Sequence, residues 1–394
     1  MVSRRYSLMV LAAAAVAPSA LMADAGFRAW LAGFEKRARR AGIKQATLKN
    51  LRSVKYLSSV IKADRKPAET AKSLDFYISS AASQSRINTG KSMVRKYAGL
   101  LDGLERRYGV SRYVIVAIWG MESSFGGFRG KTSTLSALAS LAYEGRRREQ
   151  FEAELIAALQ ILQAGDVSPS QMVGSYAGAM GHTQFMPSSY LKHAVDHDRD
   201  GRRNVWGADP SDALASTAAF LAENGWSKGP RWGEEVRLPQ GFDLALTGRV
   251  YPRSLDQWAK LGITRPSGRG VSGKRKGAII LPAGPNGPAL MIYPNFQVIK
   301  AYNYADSYAI SVGHLADRMA GEGPFRTSVP KRPWGMSTKE RVALQNRLNA
   351  LGYEAGRADG VIGEKGRAAI RAYERAEGLR VTGVPSLELL IRLR

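Results

Sequence analysis

The chain has 394 residues, room for two or three domains, and its 44% hydrophobic content supports a sizeable core. It contains no cysteine, which excludes disulfides, thiol nucleophiles, thiolate metal sites and a lipid carried on an N-terminal cysteine. With 58 Lys plus Arg against 33 Asp plus Glu, the net charge of +25 implies an anionic partner, or else solubility charge alone.

Residues 1–25 read as a secretory signal: basic Arg4 and Arg5, an apolar run from Leu8 to Val16, and the cleavage pattern Ala23-Asp24-Ala25. The Arg4-Arg5 pair also admits a twin-arginine reading. An exported chain seldom meets nucleic acid, so a carboxylate-rich wall polymer or an anionic membrane surface fits the charge better. No later stretch is long and apolar enough to span a bilayer. His182, His193, His197 and His314 show no zinc-type spacing.

Apolar spacing predicts helices over Phe27–Ala41, Leu48–Val60, Ser92–Tyr108, Leu135–Leu141 and Phe151–Leu162. Between the third and fourth lies Ser111–Gly127, with an N-cap residue at Ser111 and an unbroken apolar run from Val114 to Trp119. Gly126 and Gly127 are expected to stop this helix. Glu122 is thereby carried at the end of a dry helix, where burial keeps a carboxyl protonated and suits it to general acid work. The plain alternative is a glutamate reaching the surface at a frayed helix end. From about Trp226 to Tyr293 Gly and Pro become frequent and β-branched runs appear at Ala278–Leu281 and Leu290–Tyr293, as in a small strand-containing insertion. Helix returns over Asp306–Met319, and a Gly- and Pro-rich linker follows from Gly321 to Pro333.

The last segment has an internal echo. Leu344, Leu348 and Leu351 line one helix face, Gly352-Tyr353 breaks it, and Asp359-Gly360-Val361-Ile362-Gly363 leads into a second helix. Thr382-Gly383-Val384-Pro385-Ser386 repeats the turn before a third helix. The segment closely resembles the peptidoglycan-binding module, with Val-Pro in place of the usual second repeat.

Three further stretches follow Glu122. Ser175-Tyr-Ala-Gly-Ala-Met-Gly-His-Thr-Gln-Phe-Met-Pro-Ser-Ser-Tyr190 has small residues that allow backbone to approach a ligand, or another helix, closely. Tyr302-Asn303-Tyr-Ala-Asp-Ser-Tyr308 offers an amide and phenols suited to sugar hydroxyls, or simply a polar helix start. Arg146-Arg147-Arg148 is a basic run or a solvated face. Together with Trp-Gly-x-Glu-Ser, these ordered motifs resemble the membrane-bound lytic murein transglycosylase B family over roughly Phe27–Met319. The resemblance implies a lysozyme-like fold with a glycan cleft. It also implies cleavage of the MurNAc-β-1,4-GlcNAc bond without water, leaving a 1,6-anhydromuramic acid end.

Carried over by position, Glu122 is the catalytic acid/base. Ser175, Gln184, Tyr302, Asn303 and Tyr308 bind sugars or their acetamido groups. Arg146 and Arg147 contact stem-peptide carboxylates, and Met180 and Phe185 form apolar walls for sugar faces. Ala305 stands where relatives often carry Ser. His182 and Thr183 receive no role.

A separate loop, Asp196-His-Asp198-Arg-Asp200-Gly201-Arg202, has oxygen ligands at positions 1, 3 and 5 and Gly at 6, as a calcium loop does. Gly207 stands where a bidentate Glu is expected. The resemblance supplies Asp212 as the closing ligand, so the candidate metal set is Asp196, Asp198, Asp200, Arg202 and Asp212. The alternative is an Asp-rich turn that binds nothing.

The expected architecture is mainly α: a lysozyme-like (α+β) catalytic domain with a small strand-containing insertion, plus a C-terminal three-helix bundle. Its divisions are a signal at 1–25, the catalytic domain at 26–320, a linker at 321–336 and a peptidoglycan-binding domain at 337–394. The expected activity is that of a soluble periplasmic lytic transglycosylase needing no cofactor beyond a structural calcium ion. Its partners are peptidoglycan glycan strands and other cell-wall enzymes, with no nucleic acid and no stable membrane anchor. Rival readings are a lysozyme-type hydrolase, a non-catalytic wall-binding protein and a nucleic-acid binder.

Overall fold

The computed structural model describes residues 18–65 and 74–393. The expected signal falls mostly outside them. In chain order the helices are α1 (Pro18–Arg40), α2 (Gln45–Leu48), α3 (Ser58–Arg65), α4 (Leu74–Ala81), α5 (Gln84–Lys96), α6 (Ala98–Tyr108), α7 (Arg112–Ser123), α8 (Thr134–Glu144) and α9 (Arg148–Ala164). They continue as α10 (Pro187–His193), α11 (Ser211–Glu223), α12 (Leu255–Lys260), α13 (Pro294–Tyr302), α14 (Asp306–Met319), α15 (Thr338–Ala350), α16 (Glu364–Ala376) and α17 (Leu387–Arg392). The strands are β1 (Thr132–Ser133), β2 (Val173–Gly174), β3 (Gly233–Val236), β4 (Arg253–Ser254), β5 (Lys276–Ile280) and β6 (Ala289–Ile292). The expectation of a mainly helical protein with a small strand-bearing insertion is met. Among the described residues no helix is long and apolar enough to cross a membrane.

The chain forms two compact units. One takes in the chain up to Arg65 with Lys131–Ala179 and Met186–Ser188; the other takes in Lys66–Gly130, Met180–Phe185 and Ser189–Arg394. In the first unit Phe27, Tyr56 and Tyr143 meet with ring centroids 5.5–5.7 Å apart, edge-on or tilted as aromatic quadrupoles prefer. The helix expected over Leu48–Val60 is broken. After a tight turn at Lys49–Ser53 the backbone turns extended at Val54, and the amides of Lys55 and Leu57 donate to Ser136 Oγ (3.2 Å) and Ser140 Oγ (2.8 Å) on α8. Side-chain acceptors from a neighbouring helix replace the helical carbonyls there.

In the second unit α7 is the central element. Val114 through Gly120 are all buried, so the dry helix expected from the apolar run is present. The single helix expected over Ser92–Tyr108 is two, α5 and α6, divided at Tyr97 (φ −107°, ψ 27°). The insertion forms one antiparallel sheet in the order β3-β6-β5-β4, with Glu235 opposite Leu290 and Ile279 opposite Met291.

The core beneath this sheet does not stop at the insertion. Trp258, Ile279 and Met291 belong to the same buried cluster as Trp334, Leu344, Leu348, Ile370 and Tyr373 of the C-terminal segment. The three helices α15, α16 and α17 are made by strong local signals. Ser337 and Glu340 form a reciprocal capping box, and Ser386 caps α17. Leu344 and Leu348 are buried as expected, but Leu351 is 56% exposed because α15 ends at Ala350 and turns it outward.

The echo read in the sequence is structural. Buried Arg341 donates to the Gly360 carbonyl (2.6 Å) while Gln345 accepts from the Gly360 amide (2.8 Å). In the second turn Arg367 donates to the Gly383 carbonyl (2.9 Å) and Glu374 accepts from the Gly383 amide (2.8 Å). Each turn is pinned through both polar groups of one glycine.

Candidate active site

The start of α7 differs from expectation. The Ser111 hydroxyl makes no cap; instead Glu105 Oε1 accepts the Arg112 amide (2.9 Å), so a side chain seven residues upstream satisfies one orphan donor. The end differs as well. The helix stops at Ser124 (φ 50°) and Phe125 (φ 58°), ahead of Gly126 (φ 86°). Two non-glycine residues therefore hold left-handed backbone two and three positions after Glu122, a conformation that costs energy and persists only where surroundings enforce it.

The enforcement is a buried polar network centred on His182, which the sequence reading left without a role. Trp119 Nε1 donates to His182 Nδ1 (3.1 Å). That bond fixes the tautomer, so Nε2–H donates to the Gly207 carbonyl (2.8 Å). Ser123 Oγ donates to the His182 carbonyl (2.5 Å) and accepts the Gly126 amide (2.9 Å). Burial, ahead of other causes, pushes His182 below its ordinary range and keeps it neutral. A tryptophan and a histidine 63 residues apart gave no shared spacing from which this pair could be read.

Around Glu122 the structure brings together two of the expected residues, Tyr308 and Tyr302. Tyr308, near the start of α14, donates its hydroxyl to Glu122 Oε1 (2.6 Å). Tyr302, at the end of α13, donates to the Thr183 carbonyl (2.6 Å). Burial first, and the negative charge of Glu122 second, push the Tyr302 hydroxyl well above its ordinary range, so it stays a donor. Gln184 sits in left-handed backbone (φ 55°) and donates to the carbonyls of Gly181 (2.8 Å) and Arg129 (3.2 Å). The Asn303 amide oxygen accepts the Ala305 amide (3.1 Å), which shapes the turn between α13 and α14. Asp306 is held by Arg249 (2.5 Å) and Lys300 (2.7 Å) and is committed to those cations.

Met180 and Phe185 need correction. They are 0% and 3% exposed and pair with each other through backbone bonds, and the Phe185 ring packs against Tyr302 and Phe220. They buttress the site from within and present no open wall to a sugar. The small residues of the same stretch serve protein packing: a Cβ on Gly178 would lie 2.5 Å from Leu138, and one on Gly181 2.3 Å from the Val205 carbonyl oxygen.

Ser175, Arg146 and Arg147 belong to the first unit. Ser175 Oγ accepts the amides of Ala177 (3.3 Å) and Ala179 (3.1 Å) and so folds its own turn. Arg146 and Arg147 both pair with Asp64, Arg146 also with Glu144 (2.8 Å), and Arg147 lies over the Phe151 ring.

In the acidic loop, carboxylate oxygens of Asp196, Asp198 and Asp200 lie within 4.8 Å of one another. Asp196 Oδ1 is buried without a hydrogen-bond partner. Asp212 is buried, and its two oxygens accept the amides of His197 and Asn204, each at 2.7 Å. It closes the loop through backbone amides, and burial raises its pKa. The Arg202 amide donates to Asp200 Oδ1 (2.8 Å).

Residues 26–317 match the transglycosylase SLT domain family, and residues 337–393 match the putative peptidoglycan binding domain family. The chain is 35% identical over 240 residues to membrane-bound lytic murein transglycosylase B of Escherichia coli (strain K12), a match covering 59% of this chain and 64% of that relative. The crystal structure of SltB3 from Pseudomonas aeruginosa, in complex with NAG-anhNAM-pentapeptide, superposes with a TM-score of 0.82 at 40% identity. It covers 93% of this chain and 99% of that one. The Escherichia coli lytic transglycosylase Slt35 in complex with calcium gives a TM-score of 0.62 at 30% identity, over 75% of this chain and 93% of that one.

Proposed function

We infer that this chain, which belongs to the SLT transglycosylase family and ends in a peptidoglycan-binding domain, is a lytic transglycosylase of peptidoglycan. Glu122 is its single acid/base. The reading rests on one observation above all: a glutamate at the end of a dry helix, its Oε1 fixed by the Tyr308 hydroxyl at 2.6 Å.

In the first half of the reaction Glu122 gives its proton to the GlcNAc O4 as the bond from MurNAc C1 to that oxygen breaks. The positive charge that develops at C1 is supported by neutral oxygen lone pairs, those of the Tyr302 and Tyr308 phenols and of the Gln184 and Asn303 side-chain amides. In the second half the MurNAc C6 hydroxyl attacks C1 and passes its proton to Glu122, giving the 1,6-anhydro ring and restoring the acid. Hydrolases need a second carboxylate to act as nucleophile or to activate water. Asp306, a carboxylate in the first turn of α14, is occupied by Arg249 and Lys300. Ser175, Arg146 and Arg147 remain in this proposal as contacts to substrate, the arginines exchanging Asp64 for stem-peptide carboxylates.

The acidic loop fits a structural calcium ion. Three carboxylates converge, one of their oxygens is buried and unpartnered, and the similar lytic transglycosylase Slt35 has been solved in complex with calcium. Asp196, Asp198, Asp200 and the Arg202 carbonyl would hold it, with Asp212 closing the loop from behind. Bound there, the ion would stiffen the loop and take no part in bond breaking. The chain acts outside the cytoplasm, in the periplasm, alongside other cell-wall enzymes.

Digesting purified sacculi and weighing the muropeptides tests the reaction. Anhydro ends support it, and reducing ends alone would make the protein a lysozyme-type hydrolase. Absence of both with the native chain would leave a wall-binding protein.

A further inference from the structure

We propose that a groove between the strand-bearing insertion and the C-terminal bundle binds the peptide stem of peptidoglycan, so that the wall-binding site is shared between the two. The proposal rests on the wall-acting reading above. The groove has a volume of about 560 Å³ and is lined by residues 241–245 of the insertion and by bundle residues between Glu374 and Arg392. That is the size range of small-ligand sites.

Both walls are fixed before any ligand arrives. Arg367 is 4% exposed and donates to the Gly383 carbonyl on the bundle (2.9 Å). It also donates to Thr247 Oγ1 (2.9 Å) and the Leu244 carbonyl (3.2 Å) on the insertion. One buried guanidinium thus bolts the two sides together. Glu374 spends both oxygens on Thr382 and Gly383, at 2.6–2.8 Å, and holds the far lip in shape. Phe242 forms part of the floor and leans on Trp258 of the insertion core, ring centroids 6.4 Å apart.

The lining has two characters. Phe242, Leu244, Leu379, Val384 and Leu389 supply apolar surface. Around them stand two cations, Arg380 and Arg392, and, besides the engaged Glu374, two more carboxylates, Asp243 and Glu388. Arg380 and Asp243 pair at 2.9 Å while 74% and 41% exposed, so a ligand can part them at little cost. A glycan stripped of peptide offers only the lactyl carboxylate of its muramic acid and no amine to meet Asp243 and Glu388, and a nucleic acid would face the carboxylates of the lining. A peptide stem carries small alkyl groups, carboxylates and an amine, and so answers all three features. The bundle supplies one wall only, so this site exists in the full chain and not in the bundle alone.

The test uses the full chain carrying Glu122→Gln, so that sacculi are not consumed, and measures co-sedimentation with two substrates. One is intact sacculi; the other is sacculi stripped of peptides by an amidase. The intact material should bind about tenfold more tightly. Arg380→Ala and Phe242→Ala, each with an unchanged melting temperature, should erase that preference. Equal binding to both materials by the parent chain, or a preference that survives both substitutions, overturns the groove assignment. Failure of the reaction proposed above is read separately, from the muropeptides released by the native chain.

Discussion

The region around Glu122 and the C-terminal bundle solve the same problem, a helix end that must stop and turn, by opposite means. Among the described residues five non-glycine positions have positive φ, and three of them, Ser124, Phe125 and Gln184, belong to the segments that build the Glu122 site. From residue 337 onward every such position is a glycine, at 352, 356, 360, 378 and 383. The bundle thus uses the residue that takes left-handed backbone without strain. The site instead accepts strained backbone and enforces it with Trp119, Ser123 and His182. The difference teaches where the chain places function: strain is stored beside the acid, and the wall-binding end is kept relaxed.

The sharpest way to break that comparison is Glu122→Gln. It should lower turnover about a thousandfold, within the range of general acid catalysis, and leave the melting temperature unmoved. A variant that keeps native turnover would remove Glu122 from the chemistry.

Acid should divide the two regions next. Burial, with Arg318 second, lowers His314 on α14 from its ordinary 6.5 to about 4. Between those pH values the unfolded chain takes up a proton that the native chain refuses, so stability falls as pH drops from 6.5 toward 4. The loss is roughly 3 kcal/mol from this one group. The lowered His182 adds in the same direction. Residues 337–394 contain no histidine. Hydrogen exchange followed by mass spectrometry at pH 7 and pH 4.5 should show α14 losing protection before α15 and α16; the reverse order would contradict this account.

The bundle has its own counterpart to Glu122. Gln345 is 1% exposed, accepts the Gly360 amide and donates to the carbonyls of Arg357 (2.8 Å) and Val361 (3.2 Å). Gln345→Ala strands those groups and should cost about 2–3 kcal/mol in denaturant melts, with turnover of short soluble glycans unchanged.

How much of this was legible in the sequence follows the same divide. The bundle was readable because its turns are written locally: Asp359-Gly360 and Thr382-Gly383 are contiguous and their glycines are necessary. The dry helix was readable from Val114–Trp119. The stops were not, since the stop at Ser124 depends on His182 arriving from far along the chain, and nothing in Ser-Ser-Phe-Gly signals it. Leu48–Val60 failed for a related reason. Its apolar spacing is helical, but Ser136 and Ser140 capture its amides. Met180 and Phe185 have residue types suited to a sugar wall, and only packing against Tyr302 and Phe220 shows that they face inward.

Tyr308→Phe probes the site more gently. Removing the hydroxyl that fixes Glu122 Oε1 should lower turnover about tenfold, the effect of one hydrogen bond to a charged group. The alkaline limb of the pH profile should move upward as well, because Glu122 must start protonated and its ionised form loses a donor. A change in KM alone would place Tyr308 with the binding residues.

The smallest effect lies at the start of α14. The bundle helices α15 and α17 begin with serines whose hydroxyls accept a backbone amide, whereas α14 begins at Ala305 with no side-chain cap. The Ala305 backbone already has the geometry of a cap (φ −73°, ψ 131°), and its own amide is taken by Asn303 Oδ1. A serine hydroxyl there would be placed to accept an amide of the first turn, such as that of Ser307, without displacing that bond. Ala305→Ser should therefore raise stability by about 1 kcal/mol. Because α14 carries Tyr308, the gain should be accompanied by slower exchange in its first turn, and turnover tells which regime the enzyme is in. Unchanged or higher turnover means that the helix start only positions Tyr308. A drop means that the weak cap lets Tyr308 and Glu122 move together during the two proton transfers, and that the relaxed design of the bundle would be a fault in the site.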